Sequence, residues 1–171
     1  VLSGGDTLYR RDVERLRPLL PENAVIIHHL SSSESGLLCR TILQYDTPIL
    51  SDVVPVGFPV PGKQVLILDQ EGHIMPEGVA GEIAVRSDVI FPGYWNQPEL
   101  SHSKFRTDPE NPVGKVFCTG DLGYFLPDGQ LVFLGRNDLR VKIRGFSVDC
   151  ASVESTLMAE PGVSRAVVMP R

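Results

Sequence analysis

The sequence is poor in cysteine and has no long apolar run. Its three cysteines, Cys39, Cys118 and Cys150, lie far apart, with no C-x-x-C pair and no histidine at zinc-finger spacing. This pattern excludes a zinc finger and a disulfide scaffold, so we expect reduced thiols in a cytoplasmic protein. The longest aliphatic stretches have four residues, as at 65–68, whereas a transmembrane helix needs roughly 20. The first residues also lack the basic and apolar regions of a secretory signal.

An excess of positive charge is absent as well. The 171 residues include 16 Lys and Arg against 21 Asp and Glu, which gives a net charge of −5. We therefore expect neither a broad nucleic-acid footprint nor a membrane partner, although a local basic groove stays open. What is present is an ordinary globular balance of 42% hydrophobic and 22% charged residues, which excludes disordered and collagen-like chains. The 16 glycines and 14 prolines indicate many turns.

The first fifty residues are predicted to contain a helix followed by a buried strand. After a possible N-cap at Thr7, apolar residues recur every three or four positions, which is the period of a helix. These residues are Tyr9, Val13, Leu16 and Leu20. The β-branched run at 24–27 favours a strand, and the polar segment 31–36 a turn. This order places Glu34 at the carboxyl end of a strand, where ligands favour binding in α/β sheets.

From residue 52 onwards, short apolar runs alternate with turn clusters, which is typical of a barrel or sandwich. The Pro-Asp-Gly triplet at 127–129 predicts a hairpin turn, and the Thr-Gly-Asp triplet at 119–121 is expected to interrupt a strand. Strands are predicted at 64–69, 82–86, 115–118, 122–126, 131–134, 139–144 and 163–169, and helices at 99–104 and 151–159.

Two polar segments have the residue types that bind a nucleotide. Hydroxyls and amides of the 31–36 turn can hold a phosphate, and Glu34 can hold Mg²⁺. The alternative is a solvated surface loop. Asp121 follows Gly120, which lets a ligand come close, and its carboxylate can accept both hydroxyls of a ribose. The alternative is a turn aspartate that bonds to its own backbone.

A third segment, Gly-Arg-Asn-Asp at 135–138, precedes a strand with alternating basic residues. Arg136 can face an anion in a switch segment, or the strand can be a sheet edge that is protected by charge. His28 and His29 are neighbours on a predicted strand, so they face opposite sides and cannot bind one metal from the same face. One of them can still line a pocket.

Taken in this order, the segments resemble the adenylate-forming enzymes, above all the amino-acid-activating adenylation domains of nonribosomal peptide synthetases. Residues 135–145 are similar to the family's G-R-x-D-x-Q-V-K-I-R-G, and residues 118–122 to its Y-x-T-G-D-L. The runs at 81–83 and 93–95 resemble its G-E-L/I and G-Y elements, and residues 56–59 resemble I-G-x-P. The resemblance covers nearly the whole chain.

The resemblance implies a two-step reaction. A carboxylic acid, expected to be an amino acid, attacks the α-phosphate of ATP to give acyl-AMP and pyrophosphate, with Mg²⁺ as cofactor. The acyl group then passes to the phosphopantetheine thiol of a peptidyl or acyl carrier protein. Two alternatives stay open within the superfamily, an acyl-CoA ligase and a catalytically inactive interaction module. Outside it, an unrelated all-β binding protein stays open.

The family's Y-G-P-T-E motif corresponds to residues 30–34. By resemblance Glu34 is the Mg²⁺ ligand and Ser33 contacts the α-phosphate, so these two are the candidate catalytic residues. Leu30 takes the place of the tyrosine that stacks on adenine, and His29 corresponds to a residue that lines the acyl pocket.

The second half of the chain supplies the other implied roles. Asp121 is expected to bind both ribose hydroxyls, Phe133 to lie near the nucleotide, and Arg136 to contact ribose or phosphate. Asp138 corresponds to the hinge about which the small subdomain rotates between the two half-reactions. Lys142 lies on the strand that this rotation brings towards the site.

Two stretches depart from the family pattern. Ser31 and Ser32 replace glycine and proline, and residues 151–154 read A-S-V-E where the family has G-E-I-E.

The resemblance also implies an α+β fold that is rich in strands. Residues 1–51 are expected to end the α/β part of the large subdomain, and residues 52–137 to form its distorted barrel portion. Residues 138–171 are expected to form the hinge and the β-ribbon and helix that start the small C-terminal subdomain. The family's phosphate loop is expected upstream and its catalytic lysine downstream. We therefore expect a fragment that forms no adenylate by itself.

Overall fold

A computed structural model of the chain describes residues 1–111, 114–137, 140–143 and 146–169. The strands are β1 (Leu2–Gly4), β2 (Ile26–Ser32), β3 (Gly36–Leu43), β4 (Phe58–Pro59), β5 (Gln64–Leu68), β6 (Gly81–Arg86), β7 (Phe105–Thr107), β8 (Lys115–Phe125), β9 (Leu131–Arg136), β10 (Arg140–Ile143) and β11 (Phe146–Asp149). The α-helices are α1 (Arg10–Leu16), α2 (Pro98–Lys104) and α3 (Cys150–Ala159), and a short 3-10 helix, Arg17–Leu19, follows α1. The expected strand-rich α+β class is confirmed.

The first sheet has the strand order β1-β2-β3-β4. β1 is parallel to β2, whereas β2 and β3 form an antiparallel hairpin around the turn at 33–35. α1 is held against this sheet by Val13, which is fully buried in an apolar cluster with Ile26 of β2 and Leu43 of β3. The hairpin thus presents its polar turn at the end of a strand whose other end is anchored in this cluster.

The second sheet has the order β5-β6-β8-β7, and β9 also pairs with β8. The 11-residue strand β8 is therefore hydrogen-bonded to three partners, β6, β7 and β9. The pairs of β8 with β6 and with β9 contain register shifts, and such bulges bend and twist a sheet. The predicted turn at 127–129 is confirmed, with Gly129 at a φ of +84° and the Leu126 N–H donating to the Gln130 carbonyl at 2.8 Å.

A common hydrophobic core joins the two sheets. Leu30 and Leu38 of the first sheet lie in one buried cluster with Ile83, Phe117 and other residues of the second. Burial of such side chains stabilises by about 25 cal/mol for each Å² of apolar surface removed from water. This core fixes the β2–β3 hairpin against the curved second sheet.

The predicted interruption at 119–121 is wrong, because β8 runs through these residues. Gly120 adopts a φ of +82°, and its N–H donates to the Glu82 carboxylate at 3.0 Å. The Asp121 N–H donates to the Thr119 hydroxyl at 3.0 Å. These two side chains accept hydrogen bonds from the amides of a bulge opposite Ile83, so the residues of the bulge remain part of β8.

Two boundaries near the chain ends also differ from prediction. Tyr9, not Thr7, occupies the N-cap position of α1, and its N–H donates to the Asp12 carboxylate at 3.3 Å. The strand predicted at 163–169 is wrong: these residues are irregular, and the Val168 N–H donates to the Glu154 carboxylate at 2.8 Å rather than to a neighbouring strand.

The expected ribbon and helix of the C-terminal part are present as the antiparallel pair β10–β11 followed by α3. The division of the chain at residues 51 and 137 stays a prediction.

All three cysteines are buried thiols without a disulfide, as expected. In the part of the chain that the structure describes, the helices are too short or too polar to cross a membrane.

Candidate functional site

A cleft of about 590 Å³ lies between the β2–β3 turn and the middle of β8. Its lining combines side chains from five different parts of the chain, which the packing of the two sheets brings together. The residues with chemical groups suited to a ligand are Ser33, Glu34, Tyr94, Lys104, Asp121 and Arg136.

The turn that carries Glu34 is braced from within and from a neighbouring loop. The hydroxyls of Ser32 and Ser35 lie 2.6 Å apart, and the Ser35 N–H donates to the Ser32 hydroxyl at 3.2 Å. The Glu34 carbonyl accepts the Phe91 N–H at 2.9 Å, and the Glu34 carboxylate accepts the Tyr94 hydroxyl at 2.6 Å. Glu34 is therefore held in a defined place at the cleft while Ser33 is exposed beside it.

Asp121 forms part of the opposite wall and is 7% exposed. Its backbone is fixed by the Thr119 hydroxyl, which accepts the Asp121 N–H and donates to the Ile83 carbonyl at 2.8 Å. Asp121 and Arg136 are cross-strand neighbours in the β8–β9 pair, and the Arg136 guanidinium lies 3.4 Å from the Asp121 carboxylate. The wall thus presents a buried hydrogen-bond acceptor beside a cation.

Two cations approach the cleft at Gly120. A Cβ placed on Gly120 would lie 2.9 Å from the Lys104 Nζ and 3.3 Å from an Arg136 nitrogen. Lys104 is the last residue of α2, and β7, which follows directly, pairs with β8. The glycine therefore leaves room for both charges at one point of the wall. Such a pair of cations favours an anion.

Tyr94 stays a hydrogen-bond donor over the whole physiological pH range. Burial, and then the hydrogen bond and the negative charge of Glu34, raise the pKa of the Tyr94 hydroxyl to about 12. The aromatic ring lies edge-on to Phe105 with the ring centres 6.2 Å apart. The hydroxyl is thus protonated when it faces the Glu34 carboxylate.

The sequence of this chain matches a known family over residues 1–95, and the family is described as AMP-binding enzyme. The chain belongs to the AMP-binding enzyme family. This match includes the turn that carries Glu34 and ends at the loop that carries Tyr94.

Relatives among characterised proteins extend the likeness over the full chain. Malpinin synthetase of Mortierella alpina is 38% identical over 99% of the chain, and tyrocidine synthase 2 of Brevibacillus parabrevis is 36% identical over 91%. The chain spans only 2% and 4% of these two proteins. The resemblance to nonribosomal peptide synthetases is thereby confirmed.

A solved structure agrees in fold. The four-domain nonribosomal peptide synthetase AB3403, determined with AMP and glycine bound, is 30% identical and superposes with a TM-score of 0.75. The match covers 98% of this chain and 12% of AB3403. The strand-rich architecture described above is therefore that of the AMP-binding enzyme family.

The cleft between the β2–β3 turn and β8 is lined by four of the site residues that were predicted from the sequence. They are Ser33, Glu34, Asp121 and Arg136. The segments that carry them are nearly a hundred residues apart in the chain, and the shared core of the two sheets brings them face to face. Their individual roles stay predictions.

Other predicted site residues lie elsewhere. Leu30 and Phe133 belong to the hydrophobic core between the sheets, and Phe133 also lines a neighbouring cavity of about 400 Å³ together with Arg136. Asp138 lies outside the described residues, and Lys142 is placed only as part of β10. The contact of Leu30 with adenine, the place of Phe133 near the nucleotide and the hinge role of Asp138 and Lys142 stay predictions.

The two histidines face opposite sides of β2. His28 is fully buried, and its Nδ1 lies 3.2 Å from the Ser3 carbonyl. Burial lowers the pKa of His28 below its ordinary value, the hydrogen bond to Ser3 opposes this effect, and the charge of His29 adds to it. His29 is half-buried and packs over Gly4 of β1, where a Cβ would come within 2.5 Å of its ring. His29 is not among the residues that line the cleft described above, and its acyl-pocket role stays a prediction.

Tyr94 and Lys104 are two cleft residues to which the sequence analysis assigned no functional role. Tyr94 belongs to the G-Y run that the family resemblance singled out, so the motif was a usable signal for it. Lys104 is one of several polar residues on a short helix, and no pattern distinguishes it. Only the pairing of β7 with β8 shows that it reaches the cleft.

Proposed function

We propose that the cleft binds an adenine nucleotide and that the chain is part of an enzyme that activates a carboxylic acid, expected to be an amino acid, as acyl-AMP. The observation that carries this proposal is the meeting of Glu34, Asp121 and Arg136 around a single cleft. A carboxylate, a cation and a braced serine turn are the groups that a ribose and a phosphate chain need. Membership of the AMP-binding enzyme family supports the same ligand.

In this proposal the two walls bind different parts of the nucleotide. The Asp121 carboxylate accepts the two ribose hydroxyls, a task suited to a buried acceptor whose backbone is fixed. Arg136 and Lys104 neutralise phosphate charge beside Gly120, and the Ser33 hydroxyl contacts the α-phosphate. Because charge builds up on phosphate oxygens in the transition state, such preorganised donors and cations carry the catalysis.

The residues present also fit a magnesium ion. Mg²⁺ is bound in nucleotide sites by one or two carboxylates together with phosphate oxygens and water. Glu34 and Ser33 both line the cleft, and the Glu34 carboxylate accepts a hydrogen bond from the Tyr94 hydroxyl. Glu34 would hold the ion, which would neutralise charge on the phosphates when bound.

The second half-reaction in this proposal transfers the acyl group to the phosphopantetheine thiol of a carrier protein. Both relatives named above are peptide synthetases, which supports a carrier protein over coenzyme A as acceptor. An acyl-CoA ligase is the alternative, and transfer of the activated acid to free coenzyme A but not to a carrier protein would select it.

Substitution of Asp121 tests the nucleotide assignment. Asp121→Asn in the full-length protein should weaken ATP binding by roughly 10-fold, because a charged acceptor of two hydrogen bonds is lost while the side-chain volume is kept. Isothermal titration calorimetry measures the affinity, and amino-acid-dependent ATP–pyrophosphate exchange measures the reaction.

The control variant is Asp88→Ala, which removes an exposed aspartate on the loop after β6. It should change neither the ATP affinity nor the rate of ATP–pyrophosphate exchange. Unchanged ATP affinity in Asp121→Asn would contradict the nucleotide assignment.

A further inference from the structure

The backbone carbonyl and the side-chain carboxylate of Glu34 both accept hydrogen bonds from one loop, the segment 87–97 between β6 and α2. The Phe91 N–H donates to the Glu34 carbonyl at 2.9 Å, and the Tyr94 hydroxyl donates to the Glu34 Oε1 at 2.6 Å. The first contact fixes the backbone of the residue and the second fixes its carboxylate. The loop thus restricts the side chain of Glu34 to one orientation at the cleft.

Tyr94 is itself rigidly placed. Its N–H donates to the Ser101 hydroxyl of α2 at 2.8 Å. The preceding Gly93 has a φ of +147°, and a Cβ there would lie 3.0 Å from the same hydroxyl. The Tyr94 ring packs near both Phe91 and Phe105, and each of these ring centres is 6.2 Å from its own. A donor that is fixed in this way by backbone and ring contacts can orient the group to which it donates.

The hydrogen bond leaves the second carboxylate oxygen of Glu34 for another partner. Carboxylates that bind metal ions are commonly held by such an outer hydrogen bond, which sets their orientation, and loss of this bond costs roughly 10- to 100-fold in metal affinity or activity. A tyrosine hydroxyl suits this role because it donates one directed hydrogen bond and adds no charge next to the ion.

We propose that Tyr94 is a positioning residue that orients the Glu34 carboxylate so that it can hold the divalent cation accompanying the nucleotide phosphates. This inference rests on the proposed function, in which Glu34 is the magnesium ligand. In this proposal Tyr94 acts on the cation through Glu34.

The test is a Mg²⁺ titration of ATP binding by calorimetry in the full-length protein. Tyr94→Phe keeps the ring contacts and removes only the hydroxyl, so it should weaken the apparent Mg²⁺ affinity of the ATP complex by about 10-fold or more. ATP binding in the absence of Mg²⁺ should stay unchanged. Tyr124→Phe makes the same chemical change on β8, outside the residues that line the cleft, and should have no effect.

A double variant separates this inference from the proposed function. If Tyr94 acts through Glu34, Glu34→Gln should weaken Mg²⁺ binding and Tyr94→Phe should add nothing to it. Loss of Mg²⁺ affinity in Glu34→Gln with none in Tyr94→Phe, or additive losses in the double variant, would overturn the role of Tyr94 alone. Unchanged Mg²⁺ affinity in Glu34→Gln would overturn the metal assignment of Glu34 and the role of Tyr94 with it.

Discussion

At residue 57 the chain adopts a φ of +86° directly beside β3. A Cβ there would lie 2.2 Å from the Arg40 carbonyl oxygen. The sequence singled out residues 56–59 only as a family-like segment and could not give the reason for its glycine, because the obstructing carbonyl lies 17 positions earlier in the chain. The structure supplies that reason, a backbone contact between β3 and the segment that leads into β4.

Replacement of Gly57 by alanine should therefore be strongly destabilising. The positive φ and the clash with the β3 backbone together should cost about 2–5 kcal/mol of the free energy of unfolding. Gly62→Ala is the matched control, since Gly62 has a φ of +80° with no atom near its missing Cβ, and it should cost only about 1 kcal/mol. Urea denaturation measures both, and equal losses in the two variants would contradict the steric explanation.

The secondary-structure elements that the sequence predicts best are those whose signal is local. β5, β6 and α2 follow from their own residues, and the turn at 127–129 follows from its proline and glycine. The continuity of β8 through 119–121 could not be predicted, because it depends on Glu82 of β6 as acceptor for the Gly120 N–H. The strand predicted at 163–169 is wrong because of a contact that the local pattern does not show. Its apolar residues suit a strand, but the Val168 N–H donates to the Glu154 carboxylate of α3.

The contact that ties β6 to the turn after β7 carries a prediction of its own. Arg86 of β6 donates two hydrogen bonds to Asp108, whose side chain is 1% exposed, and these bonds hold the pKa of Asp108 below its ordinary value. Arg86→Met would leave that carboxylate buried without its cation and should cost at least about 2 kcal/mol, since breaking fully buried pairs costs roughly 3–5 kcal/mol. Urea denaturation at pH 7 measures the loss.

The pH dependence of this variant has a defined sign. Because the pKa of Asp108 is lowered on folding, the pair stabilises above the ordinary aspartate pKa, and its contribution disappears as the pH falls through the lowered value. The difference in the free energy of unfolding between the wild type and Arg86→Met should therefore become smaller at acidic pH. Arg10→Met, which breaks the exposed pair with Asp52, should cost less than about 1 kcal/mol at any pH. If Arg86→Met lowered the free energy of unfolding by no more than Arg10→Met does, the interpretation of Arg86 and Asp108 as a buried ion pair would be contradicted.

On the scale of the whole molecule, the cleft exists only because the two sheets share a core. From the sequence, the serine turn and Asp121 could be recognised separately, the turn by its residue types and its position after a strand, and Asp121 by its carboxylate next to a glycine. Neither segment by itself predicts that the two meet; the packing of Leu30 and Leu38 against Ile83 and Phe117 brings both to the cleft. The family-like G-Y run marks Tyr94 in the sequence, but its hydrogen bond to Glu34 could not be predicted, since it depends on the path of the loop at 87–97.

A ligand that spans this cleft should hold the two sheets together against unfolding. AMP present at about 100 times its dissociation constant should add about 2.7 kcal/mol to the free energy of unfolding of the full-length protein. Differential scanning fluorimetry measures the rise in melting temperature over an AMP titration. The rise should be much reduced at equal AMP concentration in Asp121→Asn, and an equal rise in both proteins would place AMP elsewhere.

The burial of the three thiols has a practical consequence. Burial raises the pKa of Cys39 to about 12 and that of Cys118 to about 11, and Cys150 is 2% exposed. Since thiolates rather than thiols are alkylated, the native cysteines are shielded from maleimide reagents. A cysteine introduced in place of Trp95, which is 88% exposed one residue beyond Tyr94, would therefore carry a fluorophore selectively and report on the loop beside the cleft.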